Sequence, residues 1–216
     1  MKISDAGICL LGIIISLVMF WKTLHFFSKD DTRIAAKQRA MYGWTLAIAV
    51  TNMLLFCVSV HLGIYIAFSF FNVYLMITVY IDLKTLYVYR IVNGVFFLLG
   101  IAMLVLLKVP IDQQLAGAFI YIVFVVLEAR MGGMGVGDAF TLIAGVPYMM
   151  LLNAGGSFLM MMLVHTLLVN IIFLLLNIKN INLKEMKFNE KAAFTPAIAL
   201  ATLIMVLSVG LVNSGL

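Results

Sequence analysis

Two of the nine acidic side chains in this 216-residue sequence, Asp82 and Asp138, lie where an apolar run meets a polar segment. Asp82 follows a long stretch without charged residues, and Asp138 precedes a second apolar run. Two carboxyl groups held close together share a proton, because both cannot be charged at low cost. One can then activate a water molecule while the other protonates the carbonyl oxygen of a peptide bond. Such a pair could hydrolyse peptides without a metal, a thiol or a serine.

Each of these aspartates also has a purely structural interpretation. A carboxylate at a helix end can cap that helix, or it can pair with a nearby cation such as Lys84, Arg90 or Arg130. The residue types alone leave both interpretations open. Most other acids are expected to be solvated loop charges, namely Asp5, Asp30, Asp31, Asp112, Glu185 and Glu190.

A glycine-rich run, Gly-Gly-Met-Gly-Val-Gly at residues 132–137, leads directly into Asp138. Glycine lets the backbone turn sharply before a helix, and it lets a substrate backbone approach an acid without an intervening Cβ. Gly133, Gly135 and Gly137 are therefore candidate substrate-binding residues. Alternatively, Gly133 and Gly137 form a small-residue packing pair on one helix. The sequence patterns of nucleotide-binding loops do not occur here.

The elements that position these residues follow from the composition. Hydrophobic residues make up 65% of the chain and charged residues 11%, and the mean hydropathy is +1.17. A soluble domain has roughly half apolar and a quarter charged residues, so a water-soluble, disordered or disulfide-stapled chain is excluded. Only helices and closed barrels satisfy their backbone in lipid. We expect an all-α membrane helical bundle.

The apolar runs predict about eight membrane-spanning helices, since one crossing of about 30 Å needs about 20 residues. No small-residue cleavage site follows the first run, so we expect a retained helix and not a signal peptide. A polar segment is expected at residues 82–93. The predicted spans are residues 7–27, two within 43–81 joined near residues 61–63, 93–107, 115–127, 138–152, 156–176 and 194–212.

The distribution of basic residues predicts how the bundle is oriented. The loops after the first, third, fifth and seventh spans hold eleven of the 14 cations, whereas the opposite side holds only Lys2 and Lys108. Cytoplasmic loops collect Lys and Arg, so these four loops are predicted to be cytoplasmic and both termini external. Asp82 and Asp138 then share one depth on the cytoplasmic side. The eleven cations are Lys29, Arg33, Lys37, Arg39, Lys84, Arg90, Arg130, Lys179, Lys184, Lys187 and Lys191.

The other reactive residue types predict no second site. Cys9 and Cys57 are too few for a thiolate zinc centre and are expected to be small buried apolar residues, with a disulfide left open. His165 and Asn170 fall within the seventh predicted span, where an interhelical hydrogen bond is favoured over a proton relay. We expect neither a metal nor a cofactor.

Three segments together resemble a known family. Residues 133–138, Gly-Met-Gly-Val-Gly-Asp, resemble the Gly-x-Gly-Asp signature of membrane-embedded aspartic proteases, and specifically that of the type IV prepilin peptidases. Residues 82–85, Asp-Leu-Lys-Thr, and Asn93 are similar to the stretch that this family's first catalytic acid opens. Residues 194–197, Phe-Thr-Pro-Ala, are similar to the opening of its last helix. Val92 replaces the family's proline, and Phe140 replaces a common lysine.

The resemblance implies a short form of the family, without its cysteine-containing cytoplasmic domain. Two N-terminal transmembrane helices would occupy residues 1–61, and a six-helix core of the Gly-x-Gly-Asp type would occupy residues 62–216. Asp82 and Asp138 would be the catalytic pair of an aspartic endopeptidase that removes the leader of type IV prepilins or pilin-like precursors. The site would lie at the cytoplasmic face of a bacterial cytoplasmic membrane. N-methyltransferase activity is not supported.

The implied partners are a prepilin or pilin-like substrate and the lipid bilayer, without nucleic acid, and a homo-oligomer is left open. The competing class is a non-catalytic membrane protein, either a transporter or an assembly component of a pilus or secretion system. A transporter predicts essential polar groups near the middle of the membrane, such as His165, whereas a protease predicts essential acids at the membrane edge.

Overall fold

The computed structural model describes residues 3–35, 38–59, 61–152, 157–182, 187–188 and 192–214. In these parts the chain forms eight α-helices, joined by short turns, and an antiparallel ladder of two-residue strands, β1 (Ile181–Asn182) and β2 (Lys187–Phe188). The predicted helical bundle is confirmed. Its helices are α1 (Ile3–Ser28), α2 (Gln38–Val58), α3 (Leu62–Thr85), α4 (Arg90–Leu106), α5 (Asp112–Arg130), α6 (Val136–Met150), α7 (Phe158–Leu176) and α8 (Thr195–Ser214).

Apolar length separates the described helices into two groups. Five of them, α1, α2, α3, α5 and α7, are long and apolar enough to cross a membrane. The apolar parts of α4, α6 and α8 are shorter. A helix satisfies its own backbone hydrogen bonds, which is what lipid requires of a crossing segment. The chain is therefore a helical membrane protein.

The polar segment expected at residues 82–93 is wrong in its boundaries. α3 continues through Asp82 to Thr85 and ends at Leu86, which adopts a left-handed conformation with φ of 53°. The Leu86 N–H closes the helix by donating to the Asp82 carbonyl oxygen at 2.8 Å. α4 already begins at Arg90, so only the short turn between Thr85 and Arg90 is non-helical. Asp82 thus lies in the last turn of its helix rather than after it.

α3 is the central helix of the bundle. About two thirds of its apolar window (67%) is buried, against 17–22% in the other four long helices. It contacts α1, α2, α4, α6 and α8. α5 and α7 complete the ring, because α5 packs on α6 and α7, and α7 packs on α8. The division of the chain at residue 61 stays a prediction.

Buried polar and aromatic contacts fix the positions of α3, α4 and α6 relative to one another along the bundle. The Tyr74 hydroxyl of α3 donates to Asn93 Oδ1 of α4 at 2.8 Å. The Tyr148 hydroxyl of α6 donates to the Phe96 carbonyl oxygen of α4 at 3.0 Å. The Tyr148 ring also stacks on Phe71 of α3 with centroids 4.5 Å apart. These contacts tie together the helices that carry Asp82 and Asp138.

We expect Tyr74→Phe to lower the free energy of unfolding by about 1–2 kcal/mol, because it leaves a buried amide oxygen without its donor. Asn93 Nδ2 is already buried without a hydrogen bond, so the whole carboxamide would be unsatisfied. Thermal unfolding in detergent measures the change. Tyr42→Phe is the matched control, because Tyr42 is 69% exposed. Equal melting temperatures for the Tyr74 variant and the parent would contradict this role.

Interhelical hydrogen bonds also use two polar residues of α7. His165 Nε2 lies 3.0 Å from Thr202 Oγ1 of α8. The Thr166 hydroxyl lies 3.0 Å from the Tyr121 hydroxyl of α5. The expected interhelical contact of His165 is confirmed. Cys9 and Cys57 are both free thiols, and Cys57 is exposed rather than buried.

Candidate functional site

A cavity of about 1070 Å³ opens at the end of the bundle where α3 ends and α6 begins. Asp82 and Asp138 both line it, so the structure brings the two singled-out acids to one site. The turns after α3 and α5 and the residues before α8 surround the acids, and α7 closes one side. The lining residues are Asp82, Leu86, Tyr87, Val88, Arg90, residues 132–138, Asn170, Phe173, Leu174, Ala192 and Phe194.

Asp82 is held by the first residue of α8. Its Oδ2 accepts a hydrogen bond from the Thr195 backbone N–H at 3.0 Å and another from the Thr195 hydroxyl at 2.9 Å. The helix-capping interpretation is therefore correct for this oxygen, because backbone N–H groups at a helix start otherwise lack partners. Within the described parts of the chain, Asp82 Oδ1 accepts no hydrogen bond. The cap accounts for one carboxylate oxygen and leaves the other for the cavity.

Thr195 is a positioning residue that the sequence did not single out as such. We expect Thr195→Val to lower the free energy of unfolding by about 1–2 kcal/mol, since a hydroxyl bond to a charged group is lost and the backbone bond remains. Thr195→Ser keeps the hydroxyl and is the control. Thermal unfolding of both variants in detergent provides the comparison. A serine variant that melts as low as the valine variant would show that packing, not the hydroxyl, sets the stability.

Asp138 is the third residue of α6 and is half-buried. Gly135 is the N-cap residue of α6 and precedes Asp138 by three positions. Gly135 has ordinary extended dihedrals, with φ of −68° and ψ of 146°. A Cβ there would lie 2.7 Å from Asp138 Oδ2, so a larger residue would force the carboxylate to move.

The other glycines shape the approach to Asp138. Gly132 has a φ of +83° and, with Gly133, closes α5 in a Schellman turn: the Gly133 N–H donates to the Glu128 carbonyl oxygen at 3.0 Å. A Cβ on Gly137 would lie 3.3 Å from Val88 Cβ, so the start of α6 packs closely on the α3–α4 turn. The idea that Gly133 and Gly137 pair on one helix is wrong, because Gly133 precedes α6. All three predicted glycines, Gly133, Gly135 and Gly137, line the cavity, and their contact with substrate stays a prediction.

Neither acid of the cavity forms an ion pair with a described residue. Asp82 and Asp138 line the same cavity, and two negative charges within one site repel each other. In the parts of the chain that the structure describes, the recorded ion pair joins Asp31 to Arg33, so neither Asp82 nor Asp138 pairs with Lys84, Arg90 or Arg130. The cation-pairing alternative is therefore wrong for the described residues.

Arg90 brings one positive charge to the cavity. Its guanidinium lies 5.7 Å from the centre of the Phe140 ring, within the range of a cation–π contact. Phe140 follows Asp138 by two positions on α6, and Arg90 begins α4, so the contact joins the first turns of these two helices beside the acids. Residue 140 is aromatic and carries no charge. The cation in contact with its ring, Arg90, belongs to α4. Sequence reasoning considered Arg90 as an ion-pair partner and as one of the cytoplasmic cations, but not as a partner of the Phe140 ring.

Metal chemistry has no donor set among the described side chains, where no three His, Cys, Asp or Glu residues come together. Comparisons with known proteins do not assign the site. No protein-family model, no curated protein and no solved structure matches this chain. The function must therefore be inferred from the cavity and from the short sequence segments that line it.

Proposed function

We propose that this chain is an aspartic endopeptidase of the membrane that removes the leader peptide from type IV prepilins or pilin-like precursors. The observation that carries the proposal is the meeting of Asp82 and Asp138 in one large cavity, from helices far apart in the sequence. The Gly-x-Gly-Asp segment adds support, since Gly135 leaves room for the Asp138 carboxylate in its present position.

In this mechanism the two acids have complementary starting states. Asp82 acts as the base and Asp138 as the acid, and the two hydrogen bonds from Thr195 hold the Asp82 carboxyl group in place. Asp82 takes a proton from water, and the resulting hydroxide attacks the carbonyl carbon of the scissile peptide bond. Asp138 gives its proton to the carbonyl oxygen. On collapse of the tetrahedral intermediate, one of its hydroxyl groups returns a proton to Asp138, and Asp82 gives its proton to the leaving amine, which restores both acids.

The cavity suits a peptide more than a small metabolite. Its volume of about 1070 Å³ lies just above the range for small-molecule sites, about 300–1,000 Å³. Val88, Phe173, Leu174 and Phe194 give it apolar walls beside the acidic groups. An extended segment at the end of an apolar substrate helix would place its backbone at the acids and its side chains on these walls.

The proposed topology places this site on the cytoplasmic side. In our proposal all eight helices cross the membrane, including the shorter α4, α6 and α8, and both termini are external. The cavity lies at the turns after α3 and α5 and before α8, which is the side of the basic loops. The membrane would be the bacterial cytoplasmic membrane, and N-methylation is not part of the proposal. A transporter has less support, since His165 bonds to Thr202 within the bundle.

The proposal is tested by expressing the chain together with a prepilin that carries a short basic leader, in cells without another prepilin peptidase. Gel mobility and the N-terminal sequence of the pilin report leader removal. We expect a shortened pilin only when the chain is present. A full-length pilin in cells whose membranes contain the chain would overturn the proposal.

A further inference from the structure

Asn170 is the one polar side chain of α7 that the fold does not use. This helix contains three hydrogen-bonding side chains, His165, Thr166 and Asn170. The first two bond across to α8 and α5. Within the described part of the chain, the Asn170 carboxamide has no hydrogen-bond partner, and it is half-buried in the cavity that holds Asp82 and Asp138.

An unpaired carboxamide is costly on such a helix. It offers two N–H donors and one oxygen acceptor, while the rest of α7 is almost entirely aliphatic and aromatic. Phe173 and Leu174, about one turn further along α7, line the same cavity. Asn170 is thus the single polar side chain that α7 contributes to the lining of the cavity. The group that satisfies it must come from inside the cavity.

We propose that Asn170 binds the backbone of the substrate peptide beside the scissile bond. A carboxamide and a peptide group are complementary, because each offers an N–H donor and a carbonyl acceptor. The contact would hold an extended peptide without selecting its side chains. The apolar walls, Phe173 and Leu174 among them, remain available for the flanking side chains. This inference rests on the proposed peptidase function.

The first test separates substrate binding from a structural role. Asn170→Leu keeps the size of the side chain but removes its hydrogen bonds. We expect KM for leader removal to rise about threefold to tenfold, with kcat within about twofold, as for one lost hydrogen bond. The melting temperature should be unchanged or higher, because no bond inside the protein is lost. Leu175→Ala, at a position 64% exposed on the same helix, is the control and should leave both constants unchanged.

The second test identifies the group that Asn170 binds. Synthetic prepilin peptides are prepared with one backbone amide at a time replaced by an ester, which removes a single N–H donor and weakens the adjoining carbonyl as an acceptor. At one position near the cut, the parent enzyme should lose about threefold to tenfold in kcat/KM, and the Asn170→Leu enzyme should lose nothing further.

The outcomes distinguish the two proposals. Equal ester penalties in both enzymes at every position, or an unchanged KM in Asn170→Leu, would overturn the role of Asn170 while leaving the peptidase intact. A parent enzyme that cleaves none of the unmodified peptides, nor the full-length prepilin, would overturn the proposed function and this inference with it.

Discussion

Replacing either Asp82 or Asp138 by asparagine is expected to slow leader removal by at least about a thousandfold. An amide neither accepts a proton from water nor donates one to a carbonyl oxygen, and general acid–base groups contribute about 10²–10⁴ in rate. Each variant removes one member of a pair that acts as a unit. The double variant should therefore be little slower than the slower single variant. Initial rates with a purified prepilin measure all three.

Both substitutions should leave the fold intact. An asparagine oxygen at position 82 can still accept the hydrogen bonds of Thr195, and asparagine at position 138 has nearly the same size and shape as aspartate. Asp31→Asn is the matched control outside the cavity. The hydrogen bond from the Arg33 guanidinium lowers the pKa of the Asp31 carboxyl, so this control removes a real charge interaction on the surface. A rate within tenfold of the parent for Asp82→Asn or Asp138→Asn would show that the residue only caps its helix.

Gly135→Ala should lower activity about a hundredfold with little loss of stability. The new Cβ would lie 2.7 Å from Asp138 Oδ2, a separation that real Cβ atoms essentially never show, so the carboxylate must turn away. The backbone at Gly135 is extended and accepts alanine without strain. A displacement of about 1 Å at a reacting group costs on the order of a hundredfold in rate. Kinetics and thermal unfolding of the same preparation separate the two effects.

Gly94→Ala is the control for Gly135→Ala. Gly94 lies in α4, and a Cβ there meets no atom within 4 Å. Alanine is the better helix former, so this variant should be as active as the parent and at least as stable. A Gly135→Ala enzyme with parental activity would show that the Asp138 carboxylate does not need its present position.

Most helices of the bundle could be predicted because the length of each hydrophobic run indicates where a membrane-spanning helix lies. The helices begin and end near the predicted spans, and successive antiparallel helices necessarily bring the end of α3 and the start of α6 to one side. The end of α3 was not predictable in the same way. Leu86 has a left-handed conformation without being glycine, so nothing in its residue type marks the end of a helix.

The contacts within the site depend on tertiary structure and leave weaker traces in the sequence. Thr195 lies far from Asp82 in the chain, and only the fold places the start of α8 against that carboxylate. The spacing of Gly133 and Gly137 left a helix-packing pair open as an alternative, but Gly133 belongs to the Schellman turn that closes α5. Arg90 meets Phe140 only because the α3–α4 turn packs on the start of α6.

The most direct test of the central claim uses the purified chain alone, reconstituted in lipid vesicles with a purified prepilin. Mass spectrometry then identifies the released leader and the shortened pilin. We predict cleavage at a single peptide bond by the parent protein and none by Asp138→Asn folded to the same melting temperature. An intact prepilin with the parent protein, or equal cleavage by the folded Asp138→Asn variant, would contradict the assignment of Asp82 and Asp138 as a catalytic pair.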